Sequence, residues 1–510
     1  MKKNSSYTLD FFLEPLLEFA HSQKSDYCKD GLFLYGPLQS KPDVSYGIIG
    51  HEDGIKRFEK WLNSISTYIQ SADIQKLHFS SFPGFQTIFN SKFRLVEKAK
   101  LFIAKDSILN TIKLDNKNKA IYDTVNLYKD KLIDYGNNEE EIPDVWFVII
   151  PEEVYTFGRP QCSVPKDERI KSNLMYNKQM KAKDVPGQTK LFPEMTEQAK
   201  IFDYGTDFRR QLKARLLKEK ISIQIIRETS IAPNDFLNSK NEPIRDVQDP
   251  ATIAWNLTTT AMFKAGCKPW KLADIRKGVC YIGLVFKKLD KICSRGNACC
   301  GAQMFLDTGD GLVFKGAIGN WLDRESGEFH LSKDKAKELM RKILEEYNRG
   351  QGYYPKELFI HGRTYFNANE WQGFTEAVQD TGTKIIGIRI TRSTNELKLY
   401  RLDGKRPIIR GTAFKVSDKK AYLWTSGYIE RFNTYPGFNV PNPISIEICQ
   451  GSADLDTVIK DIFSLTKINF NSCAYGDSVP VTLKFADAVG DILTAAPYEE
   501  VPPLPFIYYI

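Results

Sequence analysis

No apolar run in this 510-residue chain approaches the roughly 20 residues that a membrane-spanning helix needs. The longest stretches, such as Val145–Pro151, have the length of a buried strand instead. No apolar segment follows the opening Met1-Lys2-Lys3-Asn4; the mixed run Leu13-Glu14-Pro15-Leu16-Leu17-Glu18-Phe19 comes next, so no secretory leader is expected. Cysteine supplies no framework. The nine cysteines form no CxxC pair, and the one local cluster, Cys293, Cys299 and Cys300, has no histidine nearby, so reduced thiols in an intracellular compartment are expected. Neither charge sign dominates: 71 Lys and Arg against 63 Asp and Glu leave +8, which permits a polyanionic partner without naming one. Repeats at solenoid periods are lacking as well. With 42% hydrophobic and 26% charged residues, the composition predicts a cytoplasmic globular protein of two to four domains and excludes wholesale disorder.

What is present is alternation. An amphipathic helix over Lys119–Tyr135 precedes the continuous apolar run Asp144–Pro151, which reads as a buried parallel strand. Arg159–Glu197, rich in Lys, Pro, Gln and Asn, reads as a long surface loop. A helix over Asp207–Lys220, a strand over Ile221–Ile226 and a helix over Trp255–Ala265 follow, the last stopped by Gly266 and Pro269. From there the pattern changes. Val279–Phe286, Ala302–Leu306 and Leu312–Ala317 read as three antiparallel strands. Helix Ser332–Tyr347, strand Glu357–His361, helix Asn369–Asp380 and strand Lys384–Ile390 come next. This is the order of ribonuclease-H-like domains. The fold class expected is α/β, with a Rossmann-like domain over 1–265 and a ribonuclease-H-like domain over 266–510.

The helix Asp207–Lys220 carries Arg209, Arg210, Lys213, Arg215, Lys218 and Lys220. Arg209 and Lys213, four apart, project from one face, beside the apolar face of Leu212 and Leu216. In the following strand Gln224 lies opposite the face of Ile221, Ile223 and Ile225. An Arg, a Lys and a nearby Gln suit a terminal phosphate through charge-assisted hydrogen bonds; the same residues would also make a solvated basic face.

The array Arg209-x3-Lys213-x10-Gln224, followed by Lys264 in Phe263-Lys264-Ala265-Gly266-Cys267-Lys268-Pro269-Trp270, resembles the MID domain of Argonaute proteins. Glu14–Phe19, Gly31–Leu38 and Tyr46–Gly50 look like the opening of the MID–PIWI half of prokaryotic Argonautes. Because they lie at the very start, the layout resembles a short prokaryotic Argonaute with no room for N or PAZ domains. The resemblance implies that Arg209, Lys213, Gln224 and Lys264 hold the 5′-phosphate of a guide strand. Arg209 stands where Tyr is common. It further implies that the carboxylate of Ile510, in the apolar tail Pro505–Ile510, reaches that phosphate through Mg2+.

In slicing members of the family a ribonuclease-H-like site holds two metal ions on acidic ligands. Here Val285, in Tyr281-Ile282-Gly283-Leu284-Val285-Phe286, stands at the first Asp position. Gly362, in Phe359-Ile360-His361-Gly362-Arg363, stands at the third. Glu328 and Asp487 match the two others. The resemblance therefore implies an inactive groove, with His361 a packed residue and Lys287, Lys288, Arg389, Arg392, Lys398, Arg401 and Arg406 available to a nucleic-acid backbone. The implied function is that of a sensor, not an enzyme: it is loaded with guide RNA and recognises complementary single-stranded DNA of an invading plasmid or phage. It would then activate a TIR–APAZ partner that consumes NAD, as a heterodimer that forms a higher oligomer on target binding. A sirtuin-like APAZ partner fits the residues equally. Two other readings are a guide-directed endonuclease using Glu328, Asp487 and acids such as Asp307 and Asp310, and a basic scaffold that binds only protein.

Overall fold

The computed structural model describes residues 8–510 except 74, 183–192, 289–297, 306–310, 320, 324–326, 394–395, 436 and 438. Every residue of Val145–Ile150 is buried, as a run of β-branched and aromatic residues with no polar face requires. It is strand β3 of a four-stranded sheet whose other strands are β1 (Asp43–Gly50), β2 (Lys92–Phe102) and β4 (Ile223–Arg227). All pairings are parallel, in the order β2-β1-β3-β4, the arrangement of a doubly wound α/β layer. Helix Lys117–Asn138 covers one face through Ile121, Val125, Tyr128 and Leu132.

Two helices flank β4. Helix α1 (Phe208–Leu216) begins at Asp207, whose side chain accepts a hydrogen bond from the Arg210 amide, 2.9 Å away. It stops at Leu216, four residues short of the expected end, and Lys220 sits at φ +53° outside it. Helix α2 (Pro250–Lys264) starts five residues before the expected Trp255, because Asp249 caps it and Pro250 takes the first turn, where no amide hydrogen is needed.

The second sheet has ten strands. At its centre lie β5 (Val279–Lys288), β6 (Ala298–Phe305), β7 (Gly311–Gly319), β8 (Glu357–Gly362) and β9 (Lys384–Arg392). The first three pair antiparallel, as expected from the sequence; β8 runs parallel to β5 and β9 parallel to β8, giving the order β9-β8-β5-β6-β7. Helices α3 (Lys333–Gln351) and α4 (Ala368–Val378) pack on one face. Helix α5 (Val481–Leu493) packs on β5 and β6 from the other. This approach is close enough that a Cβ on Gly283 would fall 1.9 Å from the Thr482 carbonyl oxygen. The N-terminal strand Thr8–Phe11 pairs with Thr412–Lys415 at the far edge, so the second sheet recruits chain from both ends of the sequence.

The segment Arg159–Glu197 is not the structureless loop its composition suggests. Its described residues include helices Lys178–Ala182 and Pro193–Ile201. Tyr176, Ala199, Ile201 and Phe202 form a small buried cluster, and Gln198 Oε1 accepts hydrogen bonds from the Met175 and Tyr176 amides. Four residues make a core too small to print a periodicity on the sequence. No helix among the described residues is long and apolar enough to cross a membrane.

Candidate functional site

Arg209, Lys213, Gln224, Lys264 and Ile510 all line one pocket of about 640 Å³, between α1, β4, α2, α5 and the C-terminal residues. Leu212 and Leu216 anchor α1 in the core and turn Lys213 inward, so that it is only 4% exposed. Lys264, at the last turn of α2, is 2% exposed. Its ammonium donates to the Ile223 carbonyl at 2.6 Å and also to an oxygen of the Ile510 carboxylate. Lys213 donates to the same Ile510 oxygen and lies 3.4 Å from that of Tyr509. Two ammonium groups from helices that flank one strand therefore meet at a single main-chain oxygen.

Neither lysine has a carboxylate side-chain partner within ion-pair distance among the described residues. Burial holds the Lys213 ammonium well below the usual lysine range, reinforced by Lys264 and Arg209. Burial, with Arg209 adding repulsion, brings Lys264 down to about 7. The Gln224 side-chain oxygen is buried with no hydrogen-bond partner, an arrangement that costs on the order of 1–3 kcal/mol unless something enters the pocket. Arg209 is exposed at the pocket wall.

Six basic residues (Arg159, Arg209, Arg210, Lys213, Arg227, Lys264) line this pocket against two acids, Asp207 and Asp491. Asp207 is used as a helix cap and Asp491 pairs with Arg210 at 2.7 Å. The pocket is thus built for an anion. Tyr155, Arg159 and Arg227 were not legible in the sequence. The two guanidinium carbons lie 3.8 and 3.3 Å from the Tyr155 ring centroid, and Glu152 holds Arg227 in place. Their only sequence signal is the position of Tyr155 just past the C-terminal end of β3, where ligands of parallel sheets gather.

One Ile510 main-chain oxygen accepts from two ammonium groups, so a divalent cation at this carboxylate would draw its other oxygens from the guide phosphate. No cluster of three or more His, Cys, Asp or Glu suited to a metal occurs among the described residues.

The second set of sequence-predicted residues gathers on the other sheet. Val285 is 8% exposed in β5, its side chain beside Gly490 of α5. A Cβ on Gly362 would lie 3.2 Å from Phe366 Cζ, so an aromatic ring occupies the space next to that backbone. Asp487 is paired on both oxygens, with Lys287 at 3.7 Å and Arg363 at 2.5 Å. Glu328 faces His330 at 3.7 Å, and Glu370 draws the His330 pKa upward. His361 is buried against the Thr482 hydroxyl at 2.9 Å, and burial lowers it to about 3, so it stays neutral as a packed residue. Arg389 stacks on Tyr365 at 4.3 Å and reaches Glu447 at 3.9 Å, while Arg392 is exposed. Lys398 is bonded to Asn442, Arg401 to Asp403 at 2.9 Å, and Arg406 lies over Tyr428 at 4.9 Å. Asp307, Asp310 and Cys293 fall outside the described residues, as do the side chains of Lys288, Cys299 and Cys300.

No protein-family model and no curated protein matches the chain. Solved structures do. Clostridium butyricum Argonaute bound to a guide DNA and a 19-mer target DNA is similar over 99% of this chain and 55% of its own, at 16% identity and a TM-score of 0.63. Drosophila Piwi matches over 98% of this chain and 56% of its own, at 12% identity and a TM-score of 0.56. Aquifex aeolicus Argonaute, solved with externally bound siRNA, matches over 98% and 56%, at 15% identity and a TM-score of 0.55. The chain spans little more than half the length of these proteins. Its architecture is the Argonaute and Piwi fold.

Proposed function

We propose that this chain binds the 5′-phosphate of a guide strand in the 640 Å³ pocket and uses the guide to capture a complementary single strand without cutting it. One observation carries the reading: two buried ammonium groups with no carboxylate side chain in ion-pair reach converge beside Gln224, whose side-chain oxygen has no partner. A terminal phosphate brings negative charge and further acceptors to the two ammonium groups, whereas a 5′-hydroxyl does not. Lys213, Lys264 and Gln224 hold the phosphate, Arg209 closes the pocket from the exposed side, and residues 1–265 and 266–510 act as MID-like and PIWI-like halves. A Mg2+ ion between the guide phosphate and the Ile510 carboxylate belongs to the same proposal and rests on the sequence resemblance.

The absence of cutting is supported by the groove. Val285 brings an apolar side chain, Phe366 crowds Gly362, and both Asp487 oxygens are engaged by cations. A two-metal centre needs free carboxylates at these places. The guide is RNA, the target single-stranded DNA, and the output passes to a TIR–APAZ partner that consumes NAD; these finer assignments rest on the sequence resemblance.

The deciding measurement compares 5′-phosphorylated and 5′-hydroxyl RNA of one sequence. The phosphorylated strand is expected to bind at least about tenfold tighter, the yield of a single charge-assisted hydrogen bond. Equal affinities would remove the pocket's role. Cleavage of a complementary target with Mg2+ or Mn2+, abolished by Glu328→Gln or Asp487→Asn, would overturn the non-cutting reading.

A further inference from the structure

Asp487 and Asp491, one helical turn apart on α5, sit in an unbroken line of charges. Arg210 reaches Asp491 at 2.7 Å, Asp491 reaches Lys287 at 3.2 Å, Lys287 reaches Asp487 at 3.7 Å, and Asp487 reaches Arg363 at 2.5 Å. Each of the four carboxylate oxygens contacts a different cation or a different atom pair: Arg210 and Lys287 share Asp491, and Lys287 and Arg363 share Asp487. Gly490 makes this possible, since a Cβ there would fall 2.7 Å from Lys287 Cγ and push the lysine stem off the helix.

The line joins two cavities. Arg210 and Asp491 line the large pocket, while Asp487 and Arg363 line a cleft of about 240 Å³ that is completed by Thr391, Arg392, Ile390, Val479 and Leu483. Arg392 is exposed and has no ion-pair partner among the described residues. Arg210 also lies 3.9 Å from Asp207, so along the line four cations (Arg210, Lys287, Arg363, Arg392) face three carboxylates, leaving a surplus of one positive charge. Arg363 keeps 51% of its side chain exposed, so its guanidinium can take a second partner. A half-exposed ion pair is weakly held, and exchanging one oxyanion for another costs little.

We propose that Arg363 and Arg392, with Lys287 behind them, form a phosphodiester-binding subsite for the captured strand. Positive side chains there take the place that metal ions and their carboxylates hold in a cutting site. The proposal rests on the reading of this chain as a nucleic-acid binder and adds to it a second, backbone-gripping point on the PIWI-like half. The phosphate accepts hydrogen bonds from both guanidinium groups, Asp487 keeps Lys287, and the apolar wall of Ile390, Val479 and Leu483 faces the adjoining sugar. Because the contact is to the backbone, it is independent of base sequence.

The test uses the full chain loaded with a 5′-phosphorylated RNA guide and titrated with complementary single-stranded DNA between about 50 and 200 mM salt. Arg363→Gln with Arg392→Gln is expected to weaken target binding about tenfold and to make the plot of log affinity against log salt shallower by roughly one to two units. Guide affinity stays within about twofold, which also reports an intact fold. Asp487→Asn, which frees Arg363, is expected to tighten target binding. Unchanged target affinity and salt slope in the double variant would overturn the subsite. The same titration with single-stranded DNA and no guide separates the two readings: a shallower slope there, in a protein whose wild type ignores the guide 5′-phosphate, would keep the subsite and overturn the pocket.

Discussion

The two basic regions of this molecule handle positive charge in opposite ways. In the pocket beside β4, Lys213 and Lys264 are almost fully buried and lack carboxylate side-chain partners; in the cleft beside α5, Lys287 and Arg363 are one-third to one-half exposed and paired. Two buried cations that share one acceptor are held at a cost, and an entering anion relieves it. A half-exposed paired cation carries little strain and contributes modestly when it changes partner. Burial therefore marks where an anion gains most, and exposure marks where it gains little.

The sharpest way to break this comparison is to remove the buried pair. Lys213→Gln with Lys264→Gln is expected to lower affinity for a 5′-phosphorylated guide by about a hundredfold or more, from two charged hydrogen bonds of roughly 1.5–3 kcal/mol each. Binding of the 5′-hydroxyl strand changes little, as read by equilibrium titration of both strands against both proteins. A loss of equal size for the two strands would show that the lysines serve the fold alone.

A smaller effect comes from pH. Lys264 in the free pocket loses its proton near 7, below its unfolded range, so the charged form is disfavoured in the empty pocket and restored by an anion. Phosphate binding then takes up a proton, and affinity falls as pH rises above about 7, by up to about tenfold per unit. The phosphate opposes nothing in this window, because its own second ionisation lies near 6. The 5′-hydroxyl strand gives a flat profile.

The smallest effect lies on the sheet that carries the cleft. Gly283→Ala forces a methyl group against the Thr482 carbonyl and is expected to destabilise the protein by about 1–3 kcal/mol in urea unfolding. Gly362→Ala meets only the edge of the Phe366 ring at 3.2 Å and is expected to cost less. The reverse order would mean that α5 is not held tightly on β5.

Much of this was legible in the residues. The apolar run Val145–Ile150, the helix face of Leu212 and Leu216, and the order of strands and helices from Val279 to Arg392 follow from local pattern, since a buried face must repeat with the period of its element. The spacing from Arg209 through Lys213 to Gln224 was readable too, because helix and following strand are neighbours in sequence and in space. The long segment Arg159–Glu197 was misread because its few buried residues meet across helices too short to show a period.

The sequence by itself determined which surfaces of each element must be buried, and hence the α/β class and the two kinds of sheet. Only the tertiary structure decided which charges lost their water. Lys213, Lys264 and Ile510 are separated by up to 297 positions yet meet at one oxygen, and Arg210, Lys287 and Arg363 come from three distant segments to the carboxylates of α5. Local pattern fixes faces because it acts over a few residues; charge placement depends on packing between distant segments, where burial sets both the cost of a cation and its value to a ligand.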